Sequence, residues 1–314
     1  MSQPLEGKFG IVTGGSRGEL QYYARPQSDA NYAGIGEAIA HNLASKGCSL
    51  LLNFTSESSR ERTESLCTTL STTHSIRTHA VQADLNDAET AASTILNAAK
   101  QHFTKDDGSL QIDILINNAG VSQDRFLNDD SKGPIDPAYF HWQYNINVLA
   151  PLLLTQAVAP YLPTNPRRTG RIVNISSVSS TLGFTGQSVY GGTKAALEAM
   201  TRTWARELAD KATVNAINPG PVVGDMYFKT GEAFWRQMQG FQDATPLSKV
   251  LDGDAVVEEE LTDEQKKLVA EKMGGRRPAF TREVAGVVGM LCTEDGGWCT
   301  GSVVCANGGM RMGI

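Results

Sequence analysis

The sequence predicts an α/β fold in which connecting helices cover one parallel sheet. Short apolar runs alternate along the chain with longer amphipathic stretches, the pattern of stacked strand–helix–strand units. The chain is also large and apolar enough for a full core, with 314 residues, 40% hydrophobic and 20% charged. Neither a linker nor an internal repeat of fixed period breaks that rhythm, so one domain spanning 1–314 is expected.

Taken in order, the strand candidates are Phe9–Thr13, Ser49–Phe54, Arg77–Gln82, Ile112–Ile116, Arg171–Ile175, Thr213–Ile217 and Ser302–Cys305. Seven strands fit one sheet. The stretches near 35–46, 57–70, 87–103, 137–161, 188–209 and 281–292 are long enough to be right-handed crossover helices. Two segments depart from the pattern. Residues 19–34 (ELQYYARPQSDANYAG) are polar and irregular, and they sit between the first strand and its helix. Residues 225–280 exceed what a strand-to-helix connection needs, which marks a substrate-covering lid.

A net charge of −6 without a dense Lys/Arg run removes the electrostatic footprint of a nucleic-acid binder. No stretch approaches about 18 apolar residues, and Met1–Gly7 lacks a basic-then-apolar signal, so a cytoplasmic protein with no membrane partner is expected. The five cysteines lack CxxC spacing and the five histidines form no metal-ligand pair, so buried thiols and no metal site are expected.

Thr13-Gly14-Gly15-Ser16-Arg17-Gly18 follows a strand, and Gly34-Ile35-Gly36-Glu37 opens a helix. Without 19–34 the join is a glycine-rich turn that lets a pyrophosphate approach the backbone and meet free N–H groups at a helix N-terminus. Such a turn alone could be an ordinary glycine bend. Downstream, however, come Asn117-Asn118-Ala119-Gly120, Tyr190-Gly191-Gly192-Thr193-Lys194 and Asn218-Pro219-Gly220. Tyr190 and Lys194 are four apart and share a helix face, where an ammonium beside a phenol favours the phenolate and lowers its pKa toward neutrality.

Together these motifs resemble the short-chain dehydrogenase/reductase family over nearly the whole chain outside 19–34 and parts of 225–280. The resemblance implies a single doubly wound Rossmann-type domain of seven parallel strands in the order 3-2-1-4-5-6-7, a nicotinamide cofactor, and a homodimer or homotetramer formed through the helices at 137–161 and 188–209. It implies Tyr190 as acid/base, Ser177 as the hydroxyl that polarises the substrate oxygen, Lys194 on the nicotinamide ribose, and Asn147 supporting a proton-relay water. Ser176 and Asn145 are near competitors for two of these places. On the cofactor side it implies Gly14, Ser16, Arg17, Gly18, Ile35 and Gly36 at the phosphates. Asn117, Ala119 and Gly120 are expected to line the adenosine ribose and fix the central strand, with Asp84 and Leu85 at the adenine and Pro219, Gly220 and Val222 at the nicotinamide. Asp84 reads equally as a helix cap.

The second strand ends Asn53-Phe54-Thr55-Ser56 with no acid to repel a 2′-phosphate, and Arg17 matches a base of NADP-preferring relatives, so NADP(H) is expected, with Thr55 and Ser56 beside it. Two departures stand out. The insertion 19–34 separates Gly18 from its helix, either as a bulged-out loop or as a translated intron whose removal joins Gly18 to Ile35 in frame. Gly224 stands where relatives commonly carry a threonine that binds the carboxamide.

Met226, Tyr227, Phe228, Phe234, Trp235, Met238 and Phe241 suit either a cover for a hydrophobic ligand or helix core. The acidic run 252–271 reads as a solvated loop and helix start. Asp295–Gly301, Asn307–Met310 and Gly47-Cys48 resemble fungal polyketide-ketone reductases of the hydroxynaphthalene type. That likeness implies NADPH-dependent reduction of a cyclic, aromatic or polyketide-derived ketone, an activity of secondary metabolism. A 3-oxoacyl thioester reductase and a non-catalytic dinucleotide-binding protein are the alternatives.

Overall fold

The structure, a computed structural model, describes residues 3–15, 34–223 and 231–313. Ser16, Arg17, Gly18, the rest of the interruption up to Ala33, Gly224, Met226, Tyr227 and Phe228 lie outside the described residues.

The strands are β1 Phe9–Val12, β2 Ser49–Phe54, β3 Thr78–Gln82, β4 Ile114–Asn117, β5 Asn128–Asp129, β6 Gly133–Pro134, β7 Gly170–Ile175, β8 Ala212–Ile217 and β9 Val303–Val304. Seven of them form one sheet in the order β3-β2-β1-β4-β7-β8-β9, with every pairing parallel. β5 and β6 make a separate antiparallel ribbon, so the sheet strands alone follow the expected order. All residues of β1, β4, β7 and β8 are buried, as a parallel sheet covered on both faces requires.

The helices are α1 Ile35–Ala44, α2 Arg60–His74, α3 Ala88–Phe103, α4 Pro137–Tyr144, α5 Ala150–Val158, α6 Ser179–Leu182, α7 Ser188–Glu207, α8 Glu232–Asp243, α9 Ala255–Glu260, α10 Asp263–Lys272 and α11 Thr281–Cys292. Strand alternation divides the apolar residues between two cores. Ile11, Leu51 and Leu115 pack with Ile95, Leu154 and Leu197 of α3, α5 and α7. Val12, Leu52 and Ile116 pack on the opposite face with Ile39, Leu66 and Val288 of α1, α2 and α11.

The expected boundaries shift where backbone groups are used elsewhere. The fourth strand begins at Ile114 because the Ile112 N–H donates to Tyr161 before the ladder with β1 starts. The last strand shrinks to two residues because only Ala216 and Ile217 of β8 pair with it. The long helix expected over 137–161 is divided by a π-helical turn at Asn145–Leu149 and closes in a tight turn at Ala159–Tyr161.

The described part of residues 225–280 contains α8, α9 and α10 around a small core of its own, with Trp235, Val257, Leu261, Val269, Met273 and Phe280. Trp235 and Met238 are thus buried as helix core, and Phe234 packs against the same cluster. Phe241 stands edge-on to Phe184 at 4.8 Å. In the acidic run, Asp254 caps α9, and Glu259 and Glu260 both pair with Arg282. Among the described residues no helix is long and apolar enough to cross a membrane, and no group of three His, Cys, Asp or Glu could hold a metal ion.

Candidate active site

The sheet order reverses between β1 and β4, and the crevice at the carboxyl ends of these strands is where open α/β sheets bind ligands. Thr13 ties the two strands together there. Its hydroxyl donates to the Ile116 carbonyl at 3.3 Å and accepts the N–H groups of Asn118 and Ala119, both at 3.0 Å. The Asn118 amide in turn donates to the carbonyls of Thr13 at 2.9 Å and Gly14 at 3.1 Å. Gly14 has φ +62°, a left-handed conformation that glycine adopts without strain. From the other side of the interruption Gly36 closes on it: a Cβ on Gly36 would lie 2.2 Å from the Gly14 carbonyl oxygen. Gly14 and Gly36 thus meet from the two sides of residues 19–34, the close approach of bare backbone that a dinucleotide phosphate needs. The Gly15 N–H donates to Asn53 at 3.0 Å, which sets the end of β2 beside the same turn.

The four expected catalytic positions converge at the next strand ends. Ser177 follows β7, and Tyr190 and Lys194 lie one turn apart on α7. Lys194 is 3% exposed, its Nζ 5.7 Å from the centre of the Tyr190 ring. A Cβ on Gly120 would sit 3.1 Å from Lys194 Nζ and 3.2 Å from Asn147 Oδ1, so the chain passes the lysine without a side chain. Asn147 occupies the π-helical turn, fully buried. Its Oδ1 accepts the Val121 N–H at 2.8 Å, and its Nδ2 donates to the Val121 carbonyl at 2.8 Å and to Thr193 at 3.0 Å. A helix with one extra residue in a turn is a common device at functional sites, and here it aims Asn147 at the loop after β4.

Electrostatics differ from the expectation. Burial pushes the Tyr190 phenol up to about 12, Asp124 adds to the rise, and a hydrogen bond with Ser177 opposes it. The lysine does not bring the phenol toward neutrality; removal from water dominates. Burial in turn pulls Lys194 down from 10.5 to about 8, against the attraction of Glu198. At neutral pH the tyrosine is a proton donor and the lysine a cation.

The surroundings of the other expected residues follow from their hydrogen bonds and burial. Asn117 turns inward, its Nδ2 donating to Asn174 at 2.8 Å and Thr155 at 3.2 Å, so it fixes the sheet, and the neighbouring Asn118 holds the glycine turn. Leu85 is core, 5% exposed. Ile35 packs against the core under α1. Asp84 is exposed and accepts the Asn86 N–H at 3.0 Å, whereas the helix cap is Asp87. Thr55 and Ser56 are half-buried at the end of β2, and Ser56 shares a hydrogen bond with Ser58 at 2.9 Å.

Pro219 and Gly220 follow β8, with the Pro219 carbonyl accepting the Val178 N–H at 3.0 Å. Val222 bridges Ala279 through its neighbours, the Val223 N–H and the Pro221 carbonyl, so its own N–H points to the opposite side. Ser176 turns to Glu198 at 2.7 Å, and Asn145 faces Asn86 near the surface, leaving Ser177 and Asn147 at the site. Sequence reasoning missed Asn118, Asp124, Ser179, Gln187 and Glu198. Asn118 stood in a quoted motif; the others carry no spacing signal.

Residues 30–233 match a family described as short chain dehydrogenase, a match that begins inside the interruption. The chain belongs to the short-chain dehydrogenase family. Members of this family bind NAD(P), and this one is an oxidoreductase acting on a carbonyl of a small molecule. It is 74% identical to an L-xylulose reductase of Aspergillus niger over 99% of this chain and 100% of that protein. It is 54% identical to an L-xylo-3-hexulose reductase of Hypocrea jecorina, with both chains fully covered. A blue fluorescent protein from a metagenomic library, solved in complex with NADPH, superimposes with a TM-score of 0.73 at 28% identity, covering 99% of this chain and 100% of that one.

Proposed function

We propose that this short-chain dehydrogenase is an NADP(H)-dependent reductase of a polyhydroxy ketone of the xylulose type. The observation that carries the reading is the convergence of Ser177, Tyr190 and Lys194 beside the glycine cradle. The two ketose-reducing relatives support the substrate class and replace the polyketide-derived ketone that the local likeness suggested. They likewise favour a simple ketone over a 3-oxoacyl thioester, and the complete catalytic cluster favours turnover over mere dinucleotide binding. NADP preference rests on the absence of a carboxylate among Asn53, Phe54, Thr55 and Ser56.

Gly14, Gly36, Gly120, Lys194 and the Val222 N–H would hold the dinucleotide. When bound, its reduced nicotinamide supplies the hydride. With substrate present, the Ser177 hydroxyl turns from Ser179 to the substrate oxygen and stabilises the charge that develops there. Tyr190, protonated across the neutral range, delivers its phenolic proton to that oxygen. Lys194 holds a positive charge beside the phenol that has lost its proton, and Asn147 keeps the loop of Gly120 and Val121 in place around it. The helices α4, α5 and α7 are proposed as the homo-oligomer contact.

NADPH consumption with L-xylulose tests the reading. Tyr190→Phe removes the proton donor and is expected to lower kcat by roughly 10²–10⁴-fold while NADPH still binds. Binding of NADPH by the wild-type chain with no turnover of any ketone would return the protein to the non-catalytic class.

A further inference from the structure

Beside the catalytic serine a chain of polar groups runs toward solvent. Ser177 donates to the Ser179 hydroxyl at 3.1 Å, and Ser179 donates to Gln187 Oε1 at 2.7 Å. With its oxygen occupied, the Gln187 amide has its N–H₂ to offer to the neighbouring Asp124; burial raises the Asp124 carboxyl, and Gln187 and the Lys132 charge act against that rise. Gln187 is half-buried and Asp124 is exposed, so the chain ends on a charged acceptor open to solvent. Its place next to Gly186, the residue before Gln187, puts that acceptor beside the serine chain, and its charge acts on Tyr190.

The wall is built from two loops that brace each other. The Arg125 N–H donates to the Gly186 carbonyl at 2.8 Å, and the Cβ position of Gly186, at φ +79°, lies 3.4 Å from the Asp124 Cβ. From behind, Gln237 of α8 donates to Thr185 at 2.9 Å, and Phe241 rests on Phe184. The reduction described above uses Ser177 and Tyr190 but needs neither Gln187 nor Asp124.

A polyhydroxy ketone carries O–H donors on the carbons flanking its carbonyl. A carboxylate has two oxygens and about four lone-pair sites, more than Gln187 can occupy, and Asp124 is exposed. We propose that Asp124 is the substrate-specificity residue of this site, accepting hydrogen bonds from hydroxyls next to the carbonyl, and that Gln187 is the positioning residue that aims it. The assignment rests on the ketose reading above and extends it to the residues that read the hydroxyls. A ketone without flanking hydroxyls leaves the carboxylate with no partner from the substrate, so the discrimination runs in favour of the ketose.

The test compares L-xylulose with 2-pentanone, a ketone of equal carbon count without hydroxyls, using the full chain with NADPH. The readout is the ratio of the two kcat/KM values, from which any general loss of activity cancels. In Asp124→Ala this ratio is expected to fall at least about 10-fold, through KM for the ketose. Asp124→Asn, whose amide oxygen still accepts, is expected to fall less. Gln187→Leu is expected to lie between them, because Asp124 stays but loses its aim. A ratio in Asp124→Ala within about twofold of the wild type overturns the assignment while leaving the ketose reading intact. A wild-type chain that reduces 2-pentanone but not L-xylulose overturns the ketose reading, and this assignment with it.

Discussion

The Lys194 ammonium donates a hydrogen bond to the carbonyl oxygen of Ile175, the last residue of β7, at 2.9 Å. A strand end thereby fixes the charge beside Tyr190, with the lysine 3% exposed. The arrangement serves catalysis at a cost to the fold, because a buried ammonium gives up hydration that one hydrogen bond replaces only in part.

That cost has a measurable pH dependence. The unfolded lysine titrates near the ordinary 10.5 and the folded one at about 8. Below the folded value both states are charged and the burial penalty is fully present. Between the two values the unfolded chain binds the extra proton, so stability rises with pH. Tyr190, raised from 10 to about 12, acts in the opposite direction only above 10. Wild type is therefore expected to gain about 2 to 3 kcal/mol relative to Lys194→Met between about pH 7 and about pH 10. Urea unfolding at both values measures it; parallel curves for the two proteins would contradict the burial argument.

Glu198 lies one turn beyond Lys194, buried, and takes hydrogen bonds from Ser176 and Ser180, both at 2.7 Å on the same oxygen. Its charge acts to keep Lys194 protonated. Glu198→Gln retains the shape and the accepting oxygen while removing the charge, so Lys194 gives up its proton more readily. The alkaline limb of the kcat profile is expected to move to lower pH. A limb that stays in place in a folded variant would mean that Lys194 does not set it.

At the other end of the cofactor groove the discriminating position is Thr55, which follows β2 and is half-buried. A carboxylate there accepts the two ribose hydroxyls of NADH and repels a 2′-phosphate. Thr55→Asp is expected to change the ratio of kcat/KM for NADPH over NADH by roughly 10²-fold toward NADH, the attractive and repulsive contributions acting together. Kinetics with each cofactor at fixed substrate decide it, and an unchanged ratio would place the selectivity elsewhere.

What the sequence made legible follows from burial. β1, β4, β7 and β8 are covered on both faces and so stand out as unbroken apolar runs, and four-residue spacing put Tyr190 and Lys194 on one helical face. The β5–β6 ribbon has two residues a side, and the π-helical turn adds a single residue to a helix, so neither disturbs a period enough to be seen. Asn117 and Asn118 are chemically identical neighbours at a strand end. Which of them enters the sheet depends on pleat register, which apolar context does not encode. Asp124 and Gln187 meet only because two distant loops pair through Arg125 and Gly186, a tertiary contact with no local mark.

The interrupted glycine turn yields the last prediction. Gly36 has no room for a methyl group: its Cβ would lie 2.2 Å from the Gly14 carbonyl oxygen and 2.5 Å from Asn118 Nδ2. The first neighbour is backbone, held in turn by the Asn118 amide, so relief requires the two flanks of the turn to separate. Gly36→Ala is expected to cost roughly 1–3 kcal/mol of stability, as overpacking does, and to weaken NADPH binding at least about 10-fold. A chain lacking 19–34 retains both Gly14 and Gly36, and it is expected to bind NADPH no more weakly than the full chain. Titration of NADPH fluorescence separates the cases. If Gly36→Ala binds like the wild type, the phosphate is not held where Gly14 and Gly36 meet; if only the shortened chain binds, the insertion itself blocks the cradle.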